Sequence, residues 1–585
     1  MKRNSLIDLL KGIAIIAVIL YHLGVSKFGY LGVDIFFVIS GYFVTLGLIN
    51  GFAKGNFSYW SFLNKRIARL WLGLIIISIV SLALGSLVML PAHFKIDCES
   101  VVGSLSFTNN FVQYITGGDY WTTDNELKPL MHTWYLGILM QFYLIIPLVF
   151  IVAKKYAKQW LQTAFNILTI LSLVSLISYM TPLMTESQDF YMLPARFFEL
   201  GAGGLLALSI QVGNKDLKNV KINIFCLLLI LSAVFIFGTD IVALKLRLVI
   251  VTLISIVLVG CSNYFNVSSK VQKLLFPISF LGVASYSLYL SHQVFFAFYR
   301  YIVNNVFSVA EYLWICAASI IIGIILYLIF EKPLSRYISK RKSNMYRING
   351  LCLVFAIGLC AISIYYYKQG GLVHDIPELD LYVNGNNQTP EEYNSEPFAL
   401  DKDFEDNDKK NILVIGDSFG RDWINVLREA GVDSVMNISF TDKADEKTKE
   451  RISKADIIFV ASNRPFLASY DYDKIFPELF NRKFWRVGIK KFGEQFIGNI
   501  YNKRWSSRYY ESSVKDYEQY RDIIIYETRM FKDRFIDMMA PVTNNDGSIN
   551  LFTDDKKLIT QDGLHLTKAG AKFYAQKLNV WQYLK

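Results

Sequence analysis

The sequence predicts a multi-span α-helical membrane domain, with ten helices plus one extra linking helix, followed by an extracytoplasmic α/β domain. The chain of 585 residues is 53% hydrophobic and only 19% charged, which is too apolar for a soluble protein, and it is too long for one domain. Long apolar segments recur up to residue 367, whereas short buried strands and amphipathic helices follow residue 410. The predicted boundaries are 1–345 for the membrane domain, 346–368 for the extra transmembrane helix, 369–410 for an extracytoplasmic linker and 411–585 for the α/β domain.

Eleven apolar segments have the length and composition of transmembrane helices. They are 6–25, 31–50, 68–90, 133–153, 163–181, 197–212, 222–238, 242–262, 278–303, 310–330 and 348–367. Lys and Arg gather in alternate connections, so the positive-inside rule predicts a cytoplasmic N-terminus and an extracytoplasmic C-terminal region. The same rule accounts for the net charge of +11 without a nucleic-acid partner.

Charged and titratable side chains interrupt the first two apolar segments at Asp8, Lys11, His22 and Asp34. A charge near the middle of a membrane helix costs about 2.5–3.5 kcal/mol, so such residues pair, face a wet cavity or take part in chemistry. Helical spacing places Lys11 and His22 on one face about 16 Å apart, one toward each side of the membrane. The alternative is a snorkelling Asp8–Lys11 pair with His22 at the outer interface.

The connection from residue 91 to 131 combines an apolar patch, Val101 to Ile115, with an aromatic tip at Tyr120 and Trp121. It is either an interfacial or re-entrant segment or a surface loop that lies on the membrane. The surface loop is favoured because connections usually run over a surface.

Lys11 and His22, with ten residues between them and the segment from Gly29 to Phe43 after them, resemble the opening of the acyltransferase-3 family of integral membrane acyltransferases. That family has Arg-x10-His followed by a Gly-Val-Asp-hydrophobic-Phe-Phe-hydrophobic-Ser-Gly motif. Lys11 replaces the family arginine, which keeps the charge but loses the planar fork. Four later segments match the family in order, and they are His132 to Tyr143, Arg196 to Gly203, Tyr286 to His292 and Phe330 to Pro333.

One departure from the family pattern lies at Leu139 and Met140, where one or two glutamates are usual. If that carboxylate orders the site, Glu199 or Glu331 replaces it here; otherwise the role is dispensable. The segment after Arg196 is rich in glycine, which allows helices to approach closely. The glycines are Gly201, Gly203 and Gly204.

The resemblance implies acyl transfer with acetyl-CoA as the donor, and neither a permanently bound cofactor nor a metal. His22 is then the general base, while Lys11, Arg66 and Arg69 hold the phosphates of coenzyme A. Ordinary positive-inside charge is the alternative for Arg66 and Arg69, and a packed, hydrogen-bonded ring is the alternative for His292. The further motif residues that the resemblance selects are Asp34, His132, Arg196, Glu199, His292 and Glu331.

The α/β region opens with Asn411 to Gly420, a buried strand that runs into a tight turn with Ser418. An amphipathic helix follows, and its N-terminus stabilises negative charge beside the serine. Near the end of the chain, Asp562-Gly-Leu-His565 precedes a helix that starts about Thr567. Gly-Asp-Ser at the beginning and Asp-x-x-His at the end resemble the SGNH hydrolase fold, which is a three-layer α/β domain.

The second resemblance implies a serine triad in which Ser418 is the nucleophile, His565 its base and Asp562 the residue that orients the imidazole. Asn463, at the end of a predicted strand, is the candidate side-chain oxyanion donor, with the backbone N–H of Ser418 as another.

Two segments of the α/β region lack an assigned role. Asn437 to Ser439 follows the expected second strand, where the family has a glycine, so a non-glycine serves there or the oxyanion hole is weakened. Val487 to Gly493 resembles a segment common in SGNH domains that are fused to these acyltransferases.

Together the two resemblances imply O-acetylation of a cell-envelope polysaccharide by a protein of the bacterial inner membrane. The sequences around Ser418 and from Val487 to Gly493 resemble lipopolysaccharide O-antigen acetylases more than peptidoglycan O-acetyltransferases. This resemblance favours O-antigen over peptidoglycan as the lipid-linked or surface acceptor, although fold and motif do not fix a substrate. The expected partners are therefore this polysaccharide and membrane lipid, with a homo-oligomer left open. A membrane-anchored carbohydrate esterase and a transporter or flippase of a lipid-linked sugar are the alternatives.

Overall fold

The computed structural model describes residues 5–585 except 117–124, 214–227, 229–230, 232–243, 265–268, 304–306, 373–381, 384–385, 388–389, 444, 464–476, 494–497, 499, 501, 504–505, 507 and 515–517. The chain folds into two compact units. The membrane unit comprises 1–89, 93–300 and 307–371, and the α/β unit comprises 90–92, 301–306 and 372–585. The predicted order, a helical part followed by a part with a sheet, is confirmed.

The described part of the membrane unit is helical throughout. Its helices are α1 Ser5–His22, α2 Gly32–Ala53, α3 Tyr59–Val88, α4 Pro91–Leu105, α5 Asn109–Thr116, α6 Trp134–Tyr156, α7 Trp160–Met180, α8 Glu186–Tyr191, α9 Leu193–Gly213, α10 Leu244–Gly260, α11 Ser269–Val283, α12 Ser285–Ile302, α13 Val309–Leu326, α14 Lys332–Lys340 and α15 Lys342–Lys368. A π-helical turn, Tyr327–Glu331, joins α13 to α14.

Seven helices in the described residues are long and apolar enough to cross a membrane, or up to eight if α11 and α12, bent by 67° at their junction, form one broken span. The predicted number of ten plus one is therefore not reproduced. The predicted segment 222–238 lies outside the described residues apart from positions 228 and 231. These helices support a multi-pass membrane protein.

The connection from residue 91 to 131 contains two helices, α4 and α5, instead of the surface loop that the sequence favours. Their polar side chains are buried against other polar groups. Ser81 Oγ donates to the Asp97 carboxylate at 2.8 Å, and Asn109 Nδ2 donates to Thr133 Oγ1 at 2.7 Å. Because these polar groups find partners inside the protein, this stretch packs as helix despite its composition. The aromatic tip at 120–121 lies outside the described residues.

The sequence predicts Arg66 and Arg69 in a cytoplasmic connection between helices, but the structure places both on α3. The Ser58 side chain accepts a hydrogen bond from Ser61 N at 3.4 Å and caps this helix, so α3 starts at Tyr59. The basic residues therefore occupy its second and third turns, where long straight side chains suit a helix.

Glycine allows close packing between α2 and α9, as the sequence predicts. A Cβ atom on Gly41 would lie 1.9 Å from the backbone oxygen of Leu200, and one on Gly203 would lie 2.0 Å from that of Val38. Such atoms cannot be accommodated without moving the helices apart. Gly201 and Gly204 likewise face neighbouring side chains at 2.0 and 2.8 Å.

We expect Gly41→Ala to lower the melting temperature of the detergent-solubilised protein by several degrees, because overpacking against backbone costs about 1–3 kcal/mol. Gly47, also on α2, is the matched control, since nothing lies within 4 Å of its built Cβ atom. Gly47→Ala should leave the melting temperature unchanged or raise it, because alanine is the better helix former. Equal effects of the two substitutions would contradict the proposed packing.

The α/β unit contains one five-stranded parallel sheet and two small antiparallel pairs in its described residues. Its elements are β1 Tyr382–Val383, β2 Asn386–Asn387, α16 Pro390–Ser395, β3 Asn411–Gly416, α17 Ser418–Glu429, β4 Asn437–Thr441, α18 Glu446–Lys454, β5 Ile457–Ala461, α19 Pro477–Phe480, β6 Phe484–Val487, β7 Ser513–Val514, α20 Glu518–Phe531, β8 Phe535–Ile536, β9 Ile549–Asn550 and α21 Lys568–Lys577. The order β4-β3-β5-β6-β8 is that of a doubly wound sheet. The strand order reverses beside β3, and a ligand crevice is expected at the carboxyl end of the strands there.

Part of the predicted linker packs on this sheet. Tyr393 Oη on α16 donates to Glu429 Oε1 at 3.1 Å, and Asp401 pairs with Arg451 at 2.8 Å and with Lys443 at 2.8 Å. Residues from Pro390 onward are thus held to α17, β4 and α18 before the first parallel strand begins.

Candidate active sites

A cavity of about 400 Å³ in the membrane unit brings together the three cations that the sequence assigns to phosphate binding. Lys11 reaches it from α1, and Arg66 and Arg69 reach it from α3. The Arg66 guanidinium lies 5.1 Å from the ring centroid of Tyr143 on α6. We name this space the cationic cavity; the aromatic members of its wall include Phe36, Phe43, Tyr135, Tyr286 and Tyr289. Clustered cations beside aromatic rings suit a ligand with phosphate groups.

A second cavity of about 760 Å³, the histidine cavity, has His22 and His132 in its wall. The His292 ring contacts both, with centroid distances of 5.1 Å to His22 and 5.2 Å to His132. His292 Nδ1 also lies 3.1 Å from Leu288 O in its own helix. Three histidines from distant parts of the sequence therefore meet at one place. Since Lys11 lines one cavity and His22 the other, α1 presents a polar group to each.

Asp34, Arg196 and Glu199 form a buried ion cluster beside the histidine cavity. Arg196 Nη1 lies 3.2 Å from Asp34 Oδ1 and 3.2 Å from Glu199 Oε1, and no side chain of the three is more than 3% exposed. Asp34 and Arg196 also line the cavity. The cluster shows why these charges are tolerated in apolar helices, since each carboxylate shares the same guanidinium.

The position of Leu139, where a glutamate is usual in the resembling family, lies in the wall of the cationic cavity. Of the two acids considered as replacements, Glu199 belongs to the ion cluster with Arg196. Glu331, at the end of the π-helical turn, accepts a hydrogen bond from Ser287 Oγ at 2.6 Å, next to the cavity residues Ser285 and Tyr286. Glu331 is therefore the acid that approaches the cationic cavity.

Tyr289 is a residue that sequence reasoning missed. Among the described residues it is the one that lines both cavities. Its hydroxyl donates to the backbone oxygen of His132, and its ring lies 5.6 Å from that of Tyr135 and 5.7 Å from that of His292. The sequence marks Tyr289 only as a member of the Tyr286 to His292 motif. Other aromatic side chains lie in and near this motif, so nothing distinguishes Tyr289 from them.

Ser418, His565 and Asp562 form a complete hydrogen-bonded triad in the α/β unit. Ser418 Oγ lies 3.0 Å from His565 Nε2, and His565 Nδ1 lies 2.5 Å from Asp562 Oδ2. With the ring proton on Nδ1, His565 donates to Asp562 and accepts from Ser418, the arrangement of a nucleophile, its base and an orienting carboxylate. Gly416 precedes the turn because a Cβ atom there would lie 1.6 Å from Ala461 O.

The pKa of Asp562 lies well below the usual range of a carboxyl group. Desolvation by surrounding atoms opposes this shift, but the charge and ring N–H of His565 and the backbone N–H groups of His565 and Leu564 outweigh it. Both backbone groups donate to Asp562 Oδ1 at 2.8 Å. Because the folded-state pKa is depressed, Asp562 contributes stability above the unfolded-state pKa, about 3.9, and this contribution is lost as the pH falls toward the folded value.

Asp417 links the serine turn to the end of the neighbouring strand, a role that the sequence did not indicate. Asp417 Oδ1 accepts from Phe419 N at 2.9 Å, which caps α17. Asp417 Oδ2 accepts from Ser462 Oγ at 3.0 Å and from the backbone N of Asn463 at 2.9 Å. Asn463 is therefore fixed beside the nucleophile, at the crevice that the strand order predicts, and its side chain stays a predicted oxyanion donor.

The predicted position of Asn437 to Ser439, the segment where the SGNH family has a glycine, is wrong. Asn437 to Ser439 does not follow the second strand but begins it, since β4 runs from Asn437 to Thr441. Asn437 pairs with Asn411 at the opposite end of the sheet from Ser418. The residues that follow β4 at the carboxyl end are Asp442 and Lys443.

Comparisons with known proteins find a family match in the membrane unit. A family model described as an acyltransferase domain matches residues 4–328. An uncharacterised protein of Haemophilus influenzae is 28% identical over 218 residues, 36% of this chain and 88% of that protein. The peptidoglycan O-acetyltransferase OatA of Listeria monocytogenes is 30% identical over 302 residues, 49% of this chain and 48% of OatA. An O-acetyltransferase OatA of Staphylococcus aureus is 26% identical over 392 residues, 61% of this chain and 62% of that protein.

The match thus spans less than two thirds of both OatA proteins. No solved structure matches this chain.

Proposed function

Because the chain belongs to the acyltransferase family whose model matches residues 4–328, we propose that it is an O-acetyltransferase that moves acetyl groups from cytoplasmic acetyl-CoA to hydroxyl groups of a cell-envelope polysaccharide. The observation that carries the proposal is the pair of cavities in this matched region, one lined by Lys11, Arg66 and Arg69 and the other by His22. A phosphate-binding donor site and a general base are the two parts that such a transfer needs.

The cationic cavity is proposed as the donor site, and the bacterial inner membrane as the location. Lys and Arg in alternate connections support a cytoplasmic N-terminus, with α1 crossing from Lys11 to His22. The three cations bind the phosphates of coenzyme A and direct its thioester toward the middle of the unit. On the histidine side, His22 removes the proton of an acceptor hydroxyl as the new ester bond forms and the carbon–sulfur bond of the thioester breaks. The proton then passes from His22 to the thiolate of coenzyme A, which leaves as the free thiol.

The triad of the α/β unit is proposed to hold the acetyl group outside the membrane before the last transfer. Ser418 Oγ attacks the carbonyl carbon of the acetyl ester formed on the histidine side, and its proton passes to His565 Nε2. The ester bond breaks, and the alcohol that carried the acetyl group departs with that proton. A sugar hydroxyl then attacks the acyl-serine and gives its proton to His565, which returns it to Ser418 Oγ. Asn463 and the backbone N–H of Ser418 support the oxyanion.

We propose lipopolysaccharide O-antigen as the acceptor, on the residues around Ser418 and the segment from Val487 to Gly493. Peptidoglycan is the second candidate, favoured by the Listeria relative, whose name specifies that substrate. A membrane-anchored esterase is the third, since water can also release an acyl-serine.

The test is the base-labile acetate content of purified O-antigen and of purified peptidoglycan from a strain that lacks the gene. The strain is complemented with wild type, His22→Ala or Ser418→Ala at matched protein levels. Wild type should restore acetate on the O-antigen, and both variants should fail to restore it. Acetate restored on peptidoglycan alone would select the second candidate, whereas acetate that rises when the intact protein is removed would select the esterase.

A further inference from the structure

The segment from Val487 to Gly493 lies along the loop that bears the triad histidine. Phe492 N donates to the backbone oxygen of Gly563 at 2.9 Å, and Lys490 Nζ donates to that of Leu564 at 2.8 Å. None of the three triad side chains comes from this segment. These two contacts are instead with the backbone of the residues that separate Asp562 from His565.

Lys490 also forms a buried ion pair with Asp422. Lys490 Nζ lies 2.6 Å from Asp422 Oδ2, and their side chains are 2% and 1% exposed. The same carboxylate oxygen accepts from the backbone N of Leu566 at 3.1 Å. Asp422 lies on α17, four residues after Ser418 and one turn along the same helix.

The pair therefore bonds to the chain on both sides of His565. Lys490 holds the carbonyl oxygen of Leu564, the residue before it, and Asp422 holds the N–H of Leu566, the residue after it. Since Asp422 shares a helix with Ser418, the ion pair joins the base to the nucleophile through two charge-assisted hydrogen bonds, of 2.8 and 3.1 Å. Ser418 Oγ and His565 Nε2, the two atoms that this connection brings together, lie 3.0 Å apart.

Burial makes such a pair costly. Desolvation lowers the pKa of Lys490, and the Asp422 charge only partly offsets it. A buried ion pair is weak evidence for stability, because apolar residues of similar size often stabilise a protein as well or better. Its presence at this position is better explained by the geometry that it imposes.

We infer that Asp422 and Lys490 are positioning residues that fix His565 against Ser418. This inference rests on the proposed acyl-serine chemistry and adds to it a role for the segment from Val487 to Gly493. Neither side chain transfers a proton or touches the acetyl group in this role. Their loss should slow formation of the acyl-serine while leaving substrate binding intact, since displacing a reacting group by about 1 Å costs about 100-fold in rate.

The test uses the full-length protein in detergent and two assays. The first is steady-state hydrolysis of a small acetyl ester, which gives kcat and KM; the second is labelling of Ser418 with a fluorophosphonate, whose end point counts folded sites and whose rate reports the nucleophile. For Lys490→Met we expect kcat and the labelling rate to fall about 10- to 100-fold, with KM and the labelling end point unchanged. Lys490→Arg should recover most of the rate, because arginine can still bond to both partners.

Two controls separate position from stability. Lys491→Met changes the neighbouring lysine, whose Nζ lies 4.9 Å from the Tyr520 ring centroid, and it should leave both rates unchanged. Glu527→Gln removes the fully buried partner of Arg486, 2.9 Å away, and should lower the labelling end point after mild heating but not the rate at folded sites.

If Lys490→Met does not accumulate, Asp422→Asn provides the same comparison. A lower end point with an unchanged rate in Lys490→Met or Asp422→Asn would overturn the inference and leave the pair a purely structural one. Absence of Ser418 labelling in the wild type would instead contradict the proposed acyl-serine itself.

Discussion

Ser418→Ala should reduce kcat/KM for hydrolysis of a small acetyl ester by the purified full-length protein about 10⁴-fold or more, because the attacking oxygen is lost. Residues that act as one unit are not additive, so a Ser418→Ala/His565→Ala variant should be no worse than Ser418→Ala alone. Asp562→Asn should cost about 10⁴-fold in kcat, because an amide stabilises the wrong tautomer of His565.

The control for this series is Asp554→Asn, since the Asp554 side chain is 80% exposed and pairs only with Lys577 in the α/β unit as described. It should leave kcat/KM unchanged.

The depressed pKa of Asp562 adds a prediction for the pH dependence. This carboxylate stays ionised above about pH 4, so its protonation should not limit activity between about pH 5 and 8, which a pH–rate profile would test. Ester hydrolysis that persists in Ser418→Ala would show that the triad is not the catalytic centre.

Arg196→Met should destabilise the membrane unit by about 3–5 kcal/mol, because it leaves the buried carboxylates of Asp34 and Glu199 without their shared cation. We expect little folded protein in membranes, and a sharply lower melting temperature of what can be extracted in detergent. The substitution removes the charge but keeps a long side chain, so we expect the loss of stability to come from the missing ion pairs more than from a cavity.

A rescue and a control sharpen this prediction. Removing all three charges together, in Asp34→Asn/Arg196→Met/Glu199→Gln, should recover much of the lost stability, because no uncompensated charge is left buried. Lys245→Met breaks a second ion pair of the same unit, with Asp189 at 2.7 Å. Lys245 is 32% exposed, so water already solvates part of this pair, and the cost should be smaller than that of Arg196→Met. A stable Arg196→Met protein would mean that the carboxylates are protonated and need no cation.

Within the membrane unit, the sequence draws attention to residues where charge is rare and gives little guidance where polarity is common. Lys11, Arg66 and Arg69 stand out in apolar surroundings, and the structure brings them to one cavity. The structure of the region around Asp97 was harder to predict. Asp97 is buried with a hydrogen bond from Ser81, and no local sequence pattern reveals a partner that lies so far along the chain. Tyr289 could not be distinguished, since one tyrosine in an aromatic helix resembles its neighbours.

Within the α/β unit, the triad was predictable because two short motifs at opposite ends of the unit have recognisable chemistry. The segment from Asn437 to Ser439 was predicted at the wrong end of its strand, because the sequence defines strand limits poorly. A shift of a few residues in the strand moves Asn437 from one end of the sheet to the other. The role of Asp417 and the pairing of Lys490 with Asp422 depend on contacts between distant segments. A single sequence gives no measure of such contacts.

The single tyrosine shared by the two cavities, among the residues described, also bears on the energetics of the host cell. If the cationic cavity opens to the cytoplasm and the histidine cavity to the other side, as we propose, water approaches the middle of the bilayer from both faces and meets at Tyr289. The barrier between the two cavities then consists largely of the Tyr289 ring, which is held by the hydrogen bond from its hydroxyl to the backbone oxygen of His132. Under this proposal acetyl groups pass this point while protons do not, so we expect Tyr289 to help keep the membrane closed to protons.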